Sequence, residues 1–169
     1  MVLRPPSLAE VVRAAAAELR AAGFESATDD ARRLVALALG SSAVRLRADA
    51  DRLVDKLEIA AVDRLLARRL AHEPVTRIAG ERSFWNGVFS VSADVLDPRP
   101  DSEAVIGAVL AHVSASGVRG SSLRIADLGT GSGVLLVSLL QELPLAVGIG
   151  IDISAAAITV ARSNARRNG

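Results

Sequence analysis

The stretch Leu123–Leu140, LRIADLGTGSGVLLVSLL, sets three glycines in five positions between two apolar runs. The first run, through Leu128, has the length and composition of a buried strand, and the second, from Ser132 to Glu142, those of a helix. A glycine turn that follows a strand and opens a helix is where α/β proteins hold nucleotide-like cofactors. The bare backbone comes close to the ligand, and the helix N-terminus favours its negative charge. A phosphate-binding P-loop needs a lysine at its end, and the only lysine of the chain is Lys56. The dinucleotide fingerprint needs a third glycine where Val134 stands. The spacing is instead Asp127-x-Gly129-x-Gly131-x-Gly133.

Downstream, AVGIGIDIS (Ala146–Ser154) predicts a second strand ending at Asp152, nineteen residues after Gly133. A carboxylate there can accept hydrogen bonds from both hydroxyls of a ribose. It can equally cap the next helix beside Ser154, and Asp127 can cap the glycine turn. Strand 124–128, helix 132–142, strand 146–151 and helix 154–168 form a parallel βαβ pattern. The loop spacing resembles motif I of the class I S-adenosylmethionine-dependent methyltransferases. That resemblance implies that the cofactor is S-adenosylmethionine. Its contacts would be the backbone at Gly129, Thr130, Gly131, Ser132 and Gly133 and the carboxylate of Asp152.

Upstream, the first eighty residues read as helices. Ser7 with Glu10 three later is a capping box, and Gly23 ends that helix. Ser26 and Asp29 open a second helix, which Gly40 closes. A third pattern, LEIAAVDRLLARRLA, puts Leu57, Ala61, Leu65 and Leu66 on one face, with Arg64, Arg68 and Arg69 opposite, where a solvated face is expected and a binding patch is the alternative. In ERSFWNGVFSVS, Asn86-Gly87 predicts a type I′ hairpin turn between strands near 82–85 and 88–91. Pro98 and Pro100 exclude helix until about Asp101, where DSEAVIGAVLAHV begins one. SASGVRGSS reads as a polar link.

Composition narrows the function classes. Of 169 residues, 50% are apolar, enough for a core. There is no cysteine, so disulfides and thiolate metal sites are excluded. His72 and His112 are far apart, so no metal site is expected. A net charge of +1 gives no electrostatic case for nucleic-acid binding. No long apolar run is present, so neither a signal peptide nor a membrane span is expected, and the chain reads as cytoplasmic.

Several segments together narrow the resemblance. Glu73-Pro74-Val75, then Gly80-Glu81 with Phe84-Trp85, then Pro98-Arg99-Pro100-Asp101-Ser102-Glu103, precede the loop in that order. The series resembles the release factor glutamine methyltransferase family, with Asp97 where an apolar residue is usual. The resemblance implies a small helical domain (1–80) that docks the release factor and a β-hairpin linker (81–92). It implies next a Rossmann-like class I methyltransferase domain (93–169), with Pro98–Glu103 along the cofactor cleft. The implied reaction methylates the glutamine amide of the Gly-Gly-Gln loop of peptide chain release factors. The family aligns that amide with an Asn-Pro-Pro-Tyr segment. Here Asn86, Asn164 and Asn168 are the only asparagines, none precedes proline, and tyrosine is absent. No catalytic residue is therefore assigned. The chain is expected to be the N-terminal part of a longer enzyme, with an incomplete α/β sheet, no methyl transfer of its own, and self-association through open sheet edges. Two other readings remain open: methylation of another amide or amine such as a nucleic-acid base, and a non-catalytic partner-binding fragment.

Overall fold

The computed structural model describes residues 4–117 and 122–169; the polar link expected at Ser114–Ser122 lies partly outside them. The chain divides into two compact units, with the boundary in sequence between Ala79 and Gly80.

The first unit is helical: α1 (Leu8–Ala21), α2 (Ala27–Ala38), α3 (Ala43–Ala48), α4 (Lys56–Leu70) and α5 (Val75–Ala79). The Ser7–Glu10 capping box is complete: the Ser7 N–H donates to Glu10 Oε2 at 2.6 Å and the Glu10 N–H to Ser7 Oγ at 3.3 Å. Asp55 and Glu58 form a second box at the start of α4. Leu19, Leu34, Leu65, Leu66 and Ile78 build one core cluster, and Leu8, Val35, Val54 and Val62 another.

Two sequence expectations fail here, both on α4. Leu57 is 83% exposed, and the buried stripe is Val62, Leu65 and Leu66. At about 100° per residue Leu57 lies roughly 80–180° round the helix from Val62, Leu65 and Leu66, so it falls beside the buried stripe. Arg69 is not on a solvated face. Its guanidinium lies 4.0 Å from the Phe24 ring centroid and donates to the buried Asp30 carboxylate at 2.8 Å. A paired guanidinium can be enclosed where a lone one could not. Arg68 pairs with Glu73.

The second unit opens with the hairpin β1 (Glu81–Phe84) and β2 (Gly87–Ser90), followed by a 3-10 turn (Pro100–Ser102) and α6 (Glu103–Ala115). Then come β3 (Arg124–Leu128), α7 (Val134–Glu142), β4 (Val147–Ile151) and α8 (Ala155–Asn168). The hairpin loop is Trp85–Asn86, not the expected Asn86-Gly87, because Phe84 pairs with Gly87. Trp85 takes the left-handed backbone (φ 51°). Its N–H is held by Glu103 Oε1 at 3.0 Å and its indole N–H by Glu142 Oε1 at 2.8 Å. Gly87 is needed for space: a Cβ there would lie 2.7 Å from both Asn168 Oδ1 and the Phe89 ring. Packing has overridden the local turn preference. Asp97, the departure from the family pattern, pairs with Arg82 at 3.0 Å.

The hairpin shares the core of this unit: Phe84 and Phe89 meet edge to face and pack with Ile106, Val134, Val137 and Leu139. β3 and β4 run parallel, in register from Arg124↔Val147 to Leu128↔Ile151. α7 lies flush on one face, where a Cβ at Gly148 would fall 2.6 Å from Leu136 Cδ1. The other face is open: Leu128, Val147, Ile149 and Ile151 are 77%, 58%, 60% and 47% exposed. Strands of this composition are suited to burial on both faces, and here one is covered.

Candidate functional site

The glycine loop begins where β3 leaves the sheet. The N–H groups of Gly129 and Thr130 both donate to Ile151 O, at 2.8 and 2.9 Å, so the loop is fastened to the end of β4. Gly129, Gly131 and Gly133 all take left-handed backbone, φ 74°, 54° and 80°. Side chains disfavour this conformation, which explains the glycine alternation. Thr130 turns inward, is buried, and donates its hydroxyl to Asp127 Oδ2 at 2.7 Å. Asp127 therefore ties the turn. Gly150 makes room for this, since a Cβ there would lie 2.9 Å from Thr130 Oγ1. Sequence reasoning missed Gly150; its signal was a glycine inside a strand, which marks a close approach.

Asp152 faces the loop. Its Oδ2 accepts the Gly131 N–H at 2.9 Å and its Oδ1 accepts the Ser154 N–H at 2.9 Å. Those bonds, first from Ser154 and then from Gly131, hold the carboxyl below the usual carboxylate range against a smaller upward push from burial. Asp152 stays ionised at neutral pH. Each oxygen has a lone pair beyond its backbone bond, so the group can accept further hydrogen bonds. The cap of α8 is Ser154, whose Oγ accepts the Ala157 N–H at 3.2 Å. Asp152 is thus free of the capping duty that its position also allowed.

Gly133 is the N-cap of α7 and supplies no side-chain cap. The first intrahelical bond is Val137 N–H to Gly133 O, so the N–H groups of the first turn have no partner within the helix. They point toward the loop end, where a carboxylate is favoured. A Cβ at Gly129 would meet nothing within 4 Å, so the loop is open on that side. Ser132 is buried, and its carbonyl accepts from Asn164 Nδ2 of α8 at 2.8 Å. The structure brings Gly129, Thr130, Gly131, Ser132, Gly133 and Asp152 together around one bend. No group of His, Asp or Glu among the described residues is placed to hold a metal ion, and no helix among them is long and apolar enough to cross a membrane.

Comparison with known proteins adds the family. Residues 10–80 match the PrmC N-terminal domain and residues 119–169 a methyltransferase domain. A release factor glutamine methyltransferase of Rhodospirillum rubrum is 44% identical over 151 residues, covering 89% of this chain and 45% of that protein. Proteins with the same name from Cereibacter sphaeroides and Bradyrhizobium diazoefficiens are each 42% identical. They cover 95% and 94% of this chain, and 55% and 53% of their own lengths. The chain belongs to the release factor glutamine methyltransferase family. It spans about half the length of these curated relatives. The second unit of this family member is a partial class I methyltransferase fold, two parallel strands with a helix on one face.

Proposed function

We propose that the bend between β3 and α7, with Asp152, is a binding site for S-adenosylmethionine, and that the chain is the cofactor-binding part of an enzyme that methylates the glutamine amide of the Gly-Gly-Gln loop of peptide chain release factors. The observation that carries the reading is the contact of Asp152 with the Gly131 N–H, which sets an ionised acceptor beside a glycine bend that is open at Gly129. The donor set fits the cofactor's chemistry. Asp152 would accept from the ribose hydroxyls, the first-turn N–H groups of α7 would face the amino-acid carboxylate, and Gly129 leaves room for the ligand. When bound, the cofactor supplies an electrophilic methyl group on a sulfonium. The residues here bind and orient it.

The helical unit is proposed as the release factor docking module. In support, α1 and α4 border a groove lined by apolar Val11, Val62 and Leu66 and acidic Glu10, Glu18 and Asp63. The open apolar face of β3–β4 favours self-association of this chain, and the chain by itself is proposed not to transfer methyl groups.

Calorimetric titration with S-adenosylmethionine tests the site. Asp152→Ala should weaken binding by about 10- to 100-fold, the loss of charge-assisted bonds. Unchanged affinity would remove the ribose role. A methyl-transfer assay of this chain against release factor, RNA and DNA should show no turnover. Turnover on release factor would overturn the proposed inactivity, and turnover on nucleic acid the proposed substrate.

A further inference from the structure

Two asparagines one turn apart on α8 face the free edge of β2. In the hairpin register, Val88 and Ser90 occupy alternate positions whose N–H and C=O groups point away from β1. Asn168 meets the first of them: its Oδ1 accepts the Val88 N–H at 3.2 Å and its Nδ2 donates to Val88 O at 3.1 Å. Asn164 meets the second: its Oδ1 accepts the Ser90 N–H at 2.7 Å and its Nδ2 donates to Ser90 O at 3.1 Å. Each side-chain amide thus pairs with one residue as a neighbouring strand would. The spacing permits it. Four residues of helix rise about 6 Å, and two residues of strand span about 6.8 Å.

Asn164 does one thing more. It is fully buried, and its second amide hydrogen goes to Ser132 O at 2.8 Å, inside the glycine loop. The amide can be oriented in one way only, because a flip would set NH2 against the Ser90 N–H and oxygen against two carbonyls. The peptide plane that carries Ser132 O also carries the Gly133 N–H, which donates to Thr130 O at 2.8 Å. That plane, the last of the loop before α7, is therefore gripped on both sides.

We infer that Asn164 is a positioning residue for the cofactor loop, coupling the β1–β2 hairpin to the bend that receives S-adenosylmethionine. The inference rests on the cofactor reading above for its functional consequence, and on the hydrogen bonds of Asn164 for the coupling. Asn168 supplies the comparison: it makes the same edge contacts without touching the loop.

The test is amide hydrogen exchange on this chain, with and without S-adenosylmethionine, together with calorimetry, for the unaltered protein, Asn164→Ala and Asn168→Ala. In the absence of ligand, Asn164→Ala should speed exchange at Ser90 and Gly133 by about tenfold or more, and it should weaken cofactor binding by about tenfold, the equivalent of ~1.4 kcal/mol. Asn168→Ala should speed exchange at Val88 and leave affinity within about twofold. Unchanged Gly133 exchange in Asn164→Ala, or an equal loss of affinity in both variants, overturns the inference. If the unaltered chain binds no S-adenosylmethionine while Gly133 exchange still responds to Asn164→Ala, the coupling stands and the cofactor reading falls. If Asn164→Ala does not fold, exchange of the Asn164 side-chain NH2 in the unaltered chain decides. Protection well above that of the exposed Asn86 side chain supports the grip, and equal rates overturn it.

Discussion

Alanine at Gly133 and at Gly129 separates two costs that glycine avoids in this loop. Both residues are left-handed, φ 80° and 74°. Placing an L-residue there costs about 1–2 kcal/mol at either position. At Gly129 that is the whole cost, because a Cβ would meet nothing within 4 Å. At Gly133 the added Cβ would lie 3.1 Å from Ala161 Cβ and 3.3 Å from Ala161 Cα, so α8 must shift away from α7. Overpacking of that kind adds about 1–3 kcal/mol. Gly133→Ala should then destabilise the second unit by about 2–5 kcal/mol, against about 1–2 for Gly129→Ala. Trp85 is the only tryptophan and lies in the second unit, so its fluorescence during urea unfolding reports that unit alone. Ala161→Gly in the Gly133→Ala background removes the nearest clashing atom and should recover part of the steric share. Equal costs at the two glycines would show that α8 does not approach the loop as described. No cost at either would show that the bend is not left-handed.

Three further outcomes are expected. Because the Asp152 carboxyl is held below its ordinary range by the Ser154 and Gly131 N–H groups, its contribution to stability is complete above about pH 4 and is lost as pH falls through the lowered value. Urea midpoints measured from pH 7 down to 3 should show an acid loss that Asp152→Asn reduces, and an identical profile for both proteins would count against the contact. Asp30→Ala should destabilise the helical unit by about 1–3 kcal/mol, because it strands the enclosed Arg69 guanidinium. Circular dichroism during thermal unfolding would read this, and no change would mean that Arg69 reaches solvent. Ile149→Lys places a charge on the uncovered sheet face, where Ile149 is 60% exposed. It should lower the association state in analytical ultracentrifugation without lowering stability, and unchanged association would move the contact elsewhere.

What the sequence determined by itself was local. The Ser7–Glu10 box and the glycine alternation rest on bonds between residues close in sequence or on a backbone angle that only glycine takes easily. Those features are legible because their causes lie within a few residues, and the βα spacing carries Asp152 back to the loop. Tertiary structure decided the rest. The Asn86-Gly87 turn signal lost to a loop at Trp85–Asn86, where Glu103 and Glu142 hold the Trp85 N–H groups, and Gly87 serves instead to leave room for Phe89 and Asn168. Arg69 was enclosed by Asp30, distant in sequence and adjacent in space. Asn164 and Asn168 read as weak helix formers near the end of α8, and their reason is a strand edge 74 to 80 residues upstream. A side chain's hydrogen-bond partner across that separation is set by how the helix and hairpin pack, and no periodicity within α8 encodes it.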